Sequence, residues 1–171
     1  MDTSRAAVHA ELARVRLTFA RHVAEMTPED LRRASRGTRW TNRQLLFHML
    51  FGYMLVRRLT WLVKLLGHLP RHGTKPFAAV LNFCTRPFHW INYAGSVAGG
   101  ALFTPARMQR RLDRVTAKLE FDMDRQSEQS LALGMRYPTS WDPYFKEYMT
   151  LADIYHYPTR HFDHHDHQLN R

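Results

Sequence analysis

Between Thr41 and Leu66 the chain carries its most constraining pattern. Leu45, His48, Gly52, Leu55, Leu59, Leu62 and Leu66 recur at spacings of three and four in turn. That is a 3.5-residue seam, the repeat with which helices pack lengthwise in bundles. Its start is marked. Thr41 can act as N-cap, Gln44 can close a capping box with it, and Trp40 stands just before as a staple. The run Leu45 to Leu66 is long enough to span a bilayer, but it contains His48, Arg57, Arg58 and Lys64. Each charge near a bilayer centre costs about 2.5–3.5 kcal/mol, so the segment reads as a buried helix with a histidine inside its seam.

The rest of the chain offers partners for that helix. Val8, Leu12, Val15, Phe19 and Val23 form one apolar face of a helix over about 3–25. Thr27-Pro28-Glu29-Asp30 starts a short helical turn that ends near Gly37. Thr104-Pro105 opens a third long helix, whose face Met108, Leu112, Val115, Leu119, Met123 and Gln126 is expected to continue to about Gly134. The last helix is expected from about Pro143 to Leu169, with Pro158 kinking or restarting it. Residues 67–103 differ in kind. They hold five of the eight glycines, three of the eight prolines and Phe77, Phe83, Phe88, Trp90, Tyr93 and Phe103. That mixture reads as an apolar insertion or crossover with short helices around 76–84 and 87–98, not as a solvated linker. No run alternates with period two. The expectation is an all-α, four-helix bundle with an apolar helical insertion between the second and third long helices.

Length and composition bound the rest. A chain of 171 residues is expected to form one domain, 1–171. With 44% apolar and 23% charged residues it is not disordered overall, and Cys84, alone, cannot form an internal disulfide. The 25 basic against 15 acidic residues favour anionic partners. The basic residues are scattered apart from Arg32-Arg33, Arg57-Arg58 and Arg110-Arg111, and no nucleic-acid motif occurs, so a specific nucleic-acid partner is not expected. The N-terminal stretch has charges throughout and no apolar core of a signal peptide, which makes a cytoplasmic protein the expectation, with no transmembrane segment.

Five of the 11 histidines, His156, His161, His164, His165 and His167, crowd into residues 156–167. On a helix His161 and His165 share a face, about 5–6 Å apart at Cβ, and two imidazoles so spaced can bind one metal ion. A third ligand must come from another helix and point inward, as His48 does. Three histidines leave coordination positions open for water or substrate, the arrangement of a catalytic metal. His164 and His167 sit on another face and are alternatives to the pair. Asp163, Asp166 and Asp153 are candidates to orient a ligand ring.

Trp40-Thr41 and Leu45-Leu46-Phe47-His48, followed much later by His161-x-x-His164-His165-x-x-Gln168-Leu169, resemble the DinB/YfiT-like family. The resemblance covers the whole chain in outline and is specific at 40–52 and 157–169. It implies a DinB-like four-helix bundle in which His48, His161 and His165 hold a divalent metal. It also implies a metal-dependent enzyme: a thiol S-transferase that joins a low-molecular-weight thiol to a small electrophile, or a hydrolase. Three imidazoles suit zinc, nickel and iron alike. The thiol co-substrate would carry carboxylates, for which Arg39, Arg43 and Arg160 are candidate contacts. Phe51, Tyr53, Trp141, Tyr144 and Tyr155 could shape the pocket, and Tyr155 or Tyr157 could donate a proton. No residue is selected as catalytic. The alternative is a non-catalytic stress-response or binding protein, with a structural metal and a homodimer interface formed by residues 67–103.

Overall fold

A computed structural model describes residues 2–170. The elements are α1 (Asp2–Glu25), α2 (Pro28–Arg32), α3 (Asn42–Leu66), α4 (Lys75–Phe83), α5 (Thr85–Leu102), α6 (Pro105–Asp124), α7 (Glu128–Ala132), β1 (Gly134–Arg136), β2 (Tyr148–Thr150) and α8 (Leu151–Asp166). The fold is an all-α bundle. Its long helices form a ring in which α1 packs on α6 and α8, and α3 packs on the same two from the other side. Helices α1 and α3, separated in the chain by the short α2, face each other across the ring.

The helix starts follow local chemistry. Thr27, Thr41 and Thr150 each cap a helix and complete a capping box, with Asp30, Gln44 and Asp153 respectively. Thr104 caps α6 ahead of Pro105. Val8, Leu12, Val15 and Phe19 of α1 are fully buried, as are Met108, Leu112 and Met123 of α6. Each such apolar side chain contributes on the order of 1.5–3 kcal/mol. The buried Tyr53 hydroxyl is satisfied by Thr159 Oγ1 at 3.1 Å across the α3–α8 contact.

The seam of α3 divides in two. Leu45, His48 and Gly52 are buried, but Leu55, Leu59, Leu62 and Leu66 are only half-buried, and the deepest row beyond Gly52 is Tyr53, Val56, Thr60 and Val63. Helix α3 touches α5, α6 and α8 at once, so it buries more than one stripe. Leu55, Leu59 and Leu62 face Leu81, Trp141 and Phe145 instead of the bundle axis.

The insertion is a docked helical arm. Helix α5 lies along α3, and Gly99 and Gly100 make the close approach possible. A Cβ at Gly99 would overlap the Phe47 ring, and one at Gly100 would stand 2.9 Å from Gln44 Cγ.

Four boundaries differ from the expectation. Helix α2 ends at Arg32, not near Gly37. Helix α6 ends at Asp124, and Ser127 caps the separate α7. The expected loop 135–143 is part of an antiparallel hairpin of two three-residue strands, too short to show alternation, pairing Met135 with Met149. The last helix starts at Leu151 rather than Pro143, because Thr150 and Asp153 supply the cap. Pro158 neither stops nor restarts it: α8 continues through this buried proline to Asp166.

Candidate metal centre

His48 comes from the second turn of α3, and His161 and His165 from one face of α8. His48 and His161 are buried and His165 is half-buried. One ring nitrogen from each lies within 4.8 Å of the other two, which places the three to hold a metal ion. The rings pack closely, with centroids 4.6 Å apart for His48–His165 and His161–His165, and 4.9 Å for His48–His161. Trp40 stacks on His48 at 4.4 Å. It therefore covers a site ring in addition to its expected place beside the α3 cap.

The opposite ring nitrogens are all engaged. His161 Nδ1 lies 2.7 Å from Asp142 Oδ2, and His165 Nδ1 lies 2.7 Å from Gln168 Oε1. His48 Nδ1 lies 3.2 Å from Ser96 Oγ, whose own proton goes to the Asn92 carbonyl at 2.8 Å. Each Nδ1 thus faces an acceptor and carries the proton. Each Nε2 is then a lone pair. His48 Nε2 and His165 Nε2 stand 3.1 Å apart with no proton to share, and His161 Nε2 is buried without a hydrogen-bond partner. Three inward lone pairs with outward N–H groups fit a cation at their centre, and the Asp142–His161 pair has the form of a carboxylate that orients a metal-binding imidazole.

Electrostatics agree with neutral imidazoles at His48 and His165. Burial, reinforced by the neighbouring rings, pushes His48 well below the ordinary histidine value and takes His165 down to about 3. For Asp142, burial pushes the carboxyl up, but hydrogen bonds from His161, the Tyr144 backbone N–H and Tyr157 hold it lower than usual. Tyr157 is pushed far up by burial and by Asp142, to which its hydroxyl donates at 2.9 Å.

The neighbouring candidates sort clearly. His164 is exposed, with Nδ1 3.2 Å from the Tyr144 hydroxyl, and His167 is the exposed cap residue of α8. Neither joins the cluster. Asp153 caps α8 and pairs with Lys146, Asp163 pairs with Arg14 at 2.8 Å, and Asp166 pairs with His22, so none of these carboxylates orients a site ring. Arg43 donates to the Ala101 and Phe103 carbonyls at the end of α5, and Arg39 lies over the Tyr93 ring. Arg160 is exposed and lines a recess of about 470 Å³ with Tyr144, His164 and Gln168. Phe51, Phe88 and Trp141 wall a small cavity of about 20 Å³ beside His48, Asp142, Tyr157 and His161. Tyr53 and Tyr155 are buried in the bundle core, and Cys84 sits at the α4–α5 junction. Asp142 and Ser96 are the residues that periodicity could not find. They lie on a loop and on the insertion, and no spacing relates them to the histidines.

A cluster of three buried and half-buried imidazoles between two bundle helices defines a candidate metal-binding protein of the helical-bundle class. A family model described as the DinB superfamily matches residues 11–169, and the chain belongs to that superfamily. No curated protein and no solved structure matches the chain.

Proposed function

We propose that the chain is a divalent-metal-dependent enzyme of the thiol S-transferase or hydrolase type, acting on a small electrophile. His48, His161 and His165 hold the ion through Nε2. The observation that carries this reading is the common orientation of the three rings, each with Nδ1 against an oxygen able to accept, which assigns the proton to Nδ1 and leaves an Nε2 lone pair facing inward. When bound, a zinc, nickel or iron ion supplies Lewis acidity that brings the pKa of a water or thiol towards neutrality. Asp142 fixes the tautomer and direction of His161, and Tyr157 in turn steadies Asp142. Phe51, Phe88 and Trp141 keep bulk water from His161, and the cavity they wall has room for about one water molecule. Arg160, in the recess that reaches the site through Gln168, is suited to a carboxylate of a thiol co-substrate.

The tightness of that cavity favours a second reading, a structural metal in a non-catalytic protein. The two separate on His165→Ala. An enzyme loses turnover and stays folded, whereas a structural site loses stability. The primary test is metal analysis by mass spectrometry of the protein purified without an affinity tag, beside His48→Ala and His165→Ala. One equivalent in the wild type that both variants lose is the expected result, followed by turnover assays with thiols and electrophiles. Wild type that is free of metal and takes up neither zinc nor nickel would overturn the reading.

A further inference from the structure

No aspartate or glutamate occurs between Leu31 and Leu112, yet 14 of the 25 lysines and arginines do. Eight of the ten large hydrophobic side chains left exposed among the described residues lie in the same segment. The basic residues look scattered in sequence, but two packed helices gather many of them. On α3, Arg57, Arg58, Trp61 and Leu65 follow helical spacing and are exposed, Trp61 to 65% and Leu65 to 57%. On α6, Arg107, Arg110, Arg111 and Arg114 form a second exposed stripe.

The stripes belong to one surface. The four α6 arginines share a recess of about 430 Å³ with Met54 of α3 and with Phe103, beside the 72% exposed Leu102. Arg57, Arg58, Trp61 and Lys64 line a recess of about 620 Å³ that reaches α6 at Asp122. Asp122 is held by Lys118 at 2.7 Å. Among the described residues none of the six arginines takes part in an ion pair. Guanidinium groups outside any ion pair therefore stand beside an exposed indole and exposed leucines.

Three partners could meet such a face. A second copy of this chain would bring arginine against arginine. A nucleic acid would use the cations but has no need of Leu65 and Leu102. An anionic lipid surface uses both kinds of group, since phosphates accept from the guanidiniums while Trp and Leu enter the boundary of the acyl region. No helix of the described residues is long and apolar enough to cross a membrane, so the contact would be with the surface. We propose that the α3–α6 face docks the protein on anionic phospholipid bilayers.

Vesicle flotation tests this, with phosphatidylcholine vesicles containing about one-third phosphatidylglycerol against pure phosphatidylcholine. The wild type is expected to float with the anionic vesicles only. Arg110→Glu/Arg111→Glu should weaken that binding by at least about tenfold, and Trp61→Ser should weaken it severalfold. Arg21→Glu/Lys146→Glu, equal in charge change but off this face, should leave it intact. Circular dichroism would verify that each variant remains helical. Failure to float would overturn the proposal, as would equal loss in the Arg21/Lys146 variant, which would mark a net-charge effect. So would indifference to Trp61→Ser combined with equally tight binding of a DNA duplex, or a lipid-free dimer that hides Trp61.

Discussion

Asp142 reaches His161 from a loop nineteen residues earlier in the chain, with Oδ2 2.7 Å from Nδ1. The contact fixes which nitrogen of His161 carries the proton and leaves Nε2 aimed at His48 and His165. Asp142→Asn keeps an acceptor of the same size but removes the charge and can present N–H instead. Metal affinity is expected to fall by about 10–100-fold, measured by competition with a chelator, while the helical content is unchanged. Unaltered affinity would remove Asp142 from the site.

Gly52 lies one turn along α3 from His48, and its missing side chain is where the His161 ring sits. A Cβ there would stand 3.0 Å from His161 Cδ2. Gly52→Ala therefore has to shift an imidazole by a few tenths of an ångström. Alanine also favours a helix over glycine by about 1 kcal/mol, which offsets the strain. The expected outcome is weakened metal binding with a urea midpoint close to that of the wild type. A large loss of stability, or no change in affinity, would contradict this account of the glycine.

Asp153 gives the start of α8 a pH dependence. Burial pushes its carboxyl up, but the Thr150 backbone N–H and hydroxyl and the Lys146 ammonium outweigh that and hold it below the usual value. A carboxyl that is more acidic folded than unfolded stabilises the protein above the unfolded pKa of about 4, and that contribution disappears as the pH falls through the folded value. The group is only half-buried, so the effect is a fraction of 1 kcal/mol once solvent screening is included. Urea midpoints of wild type and Asp153→Asn should differ at neutral pH and converge in acid. A difference that persists or widens in acid would refute the assignment.

Much of this architecture is legible from short-range chemistry. Thr41 with Gln44 and Thr104 with Pro105 announce their helices within four residues, and the spacing of His161 and His165 announces one face of α8. The start of α8 misleads because Pro143 is a conspicuous signal while Thr150 and Asp153, the actual cap, are isolated polar residues in the mostly apolar run 148–155. The hairpin escapes because three residues cannot display an alternation. The α3 seam is real as far as Gly52, but the leucines beyond it face Leu81 of the arm and the 135–145 hairpin loop rather than the bundle axis, a division that depends on where those two segments fold. Asp142 and Ser96 escape for the same reason, since only the tertiary path brings them beside the histidines.

The acceptors and rings of the centre come from residues 48, 96, 142, 161, 165 and 168, spread over the folded arm, a loop and two bundle helices. No contiguous piece of chain offers more than two of the inward nitrogens. Closing so wide a span is entropically costly before the helices have met, so a strong ion site does not exist until the bundle, the arm and the 137–147 loop are all in place. On the proposed metal-binding reading, ion capture would follow assembly, and occupancy would count the molecules that have completed it.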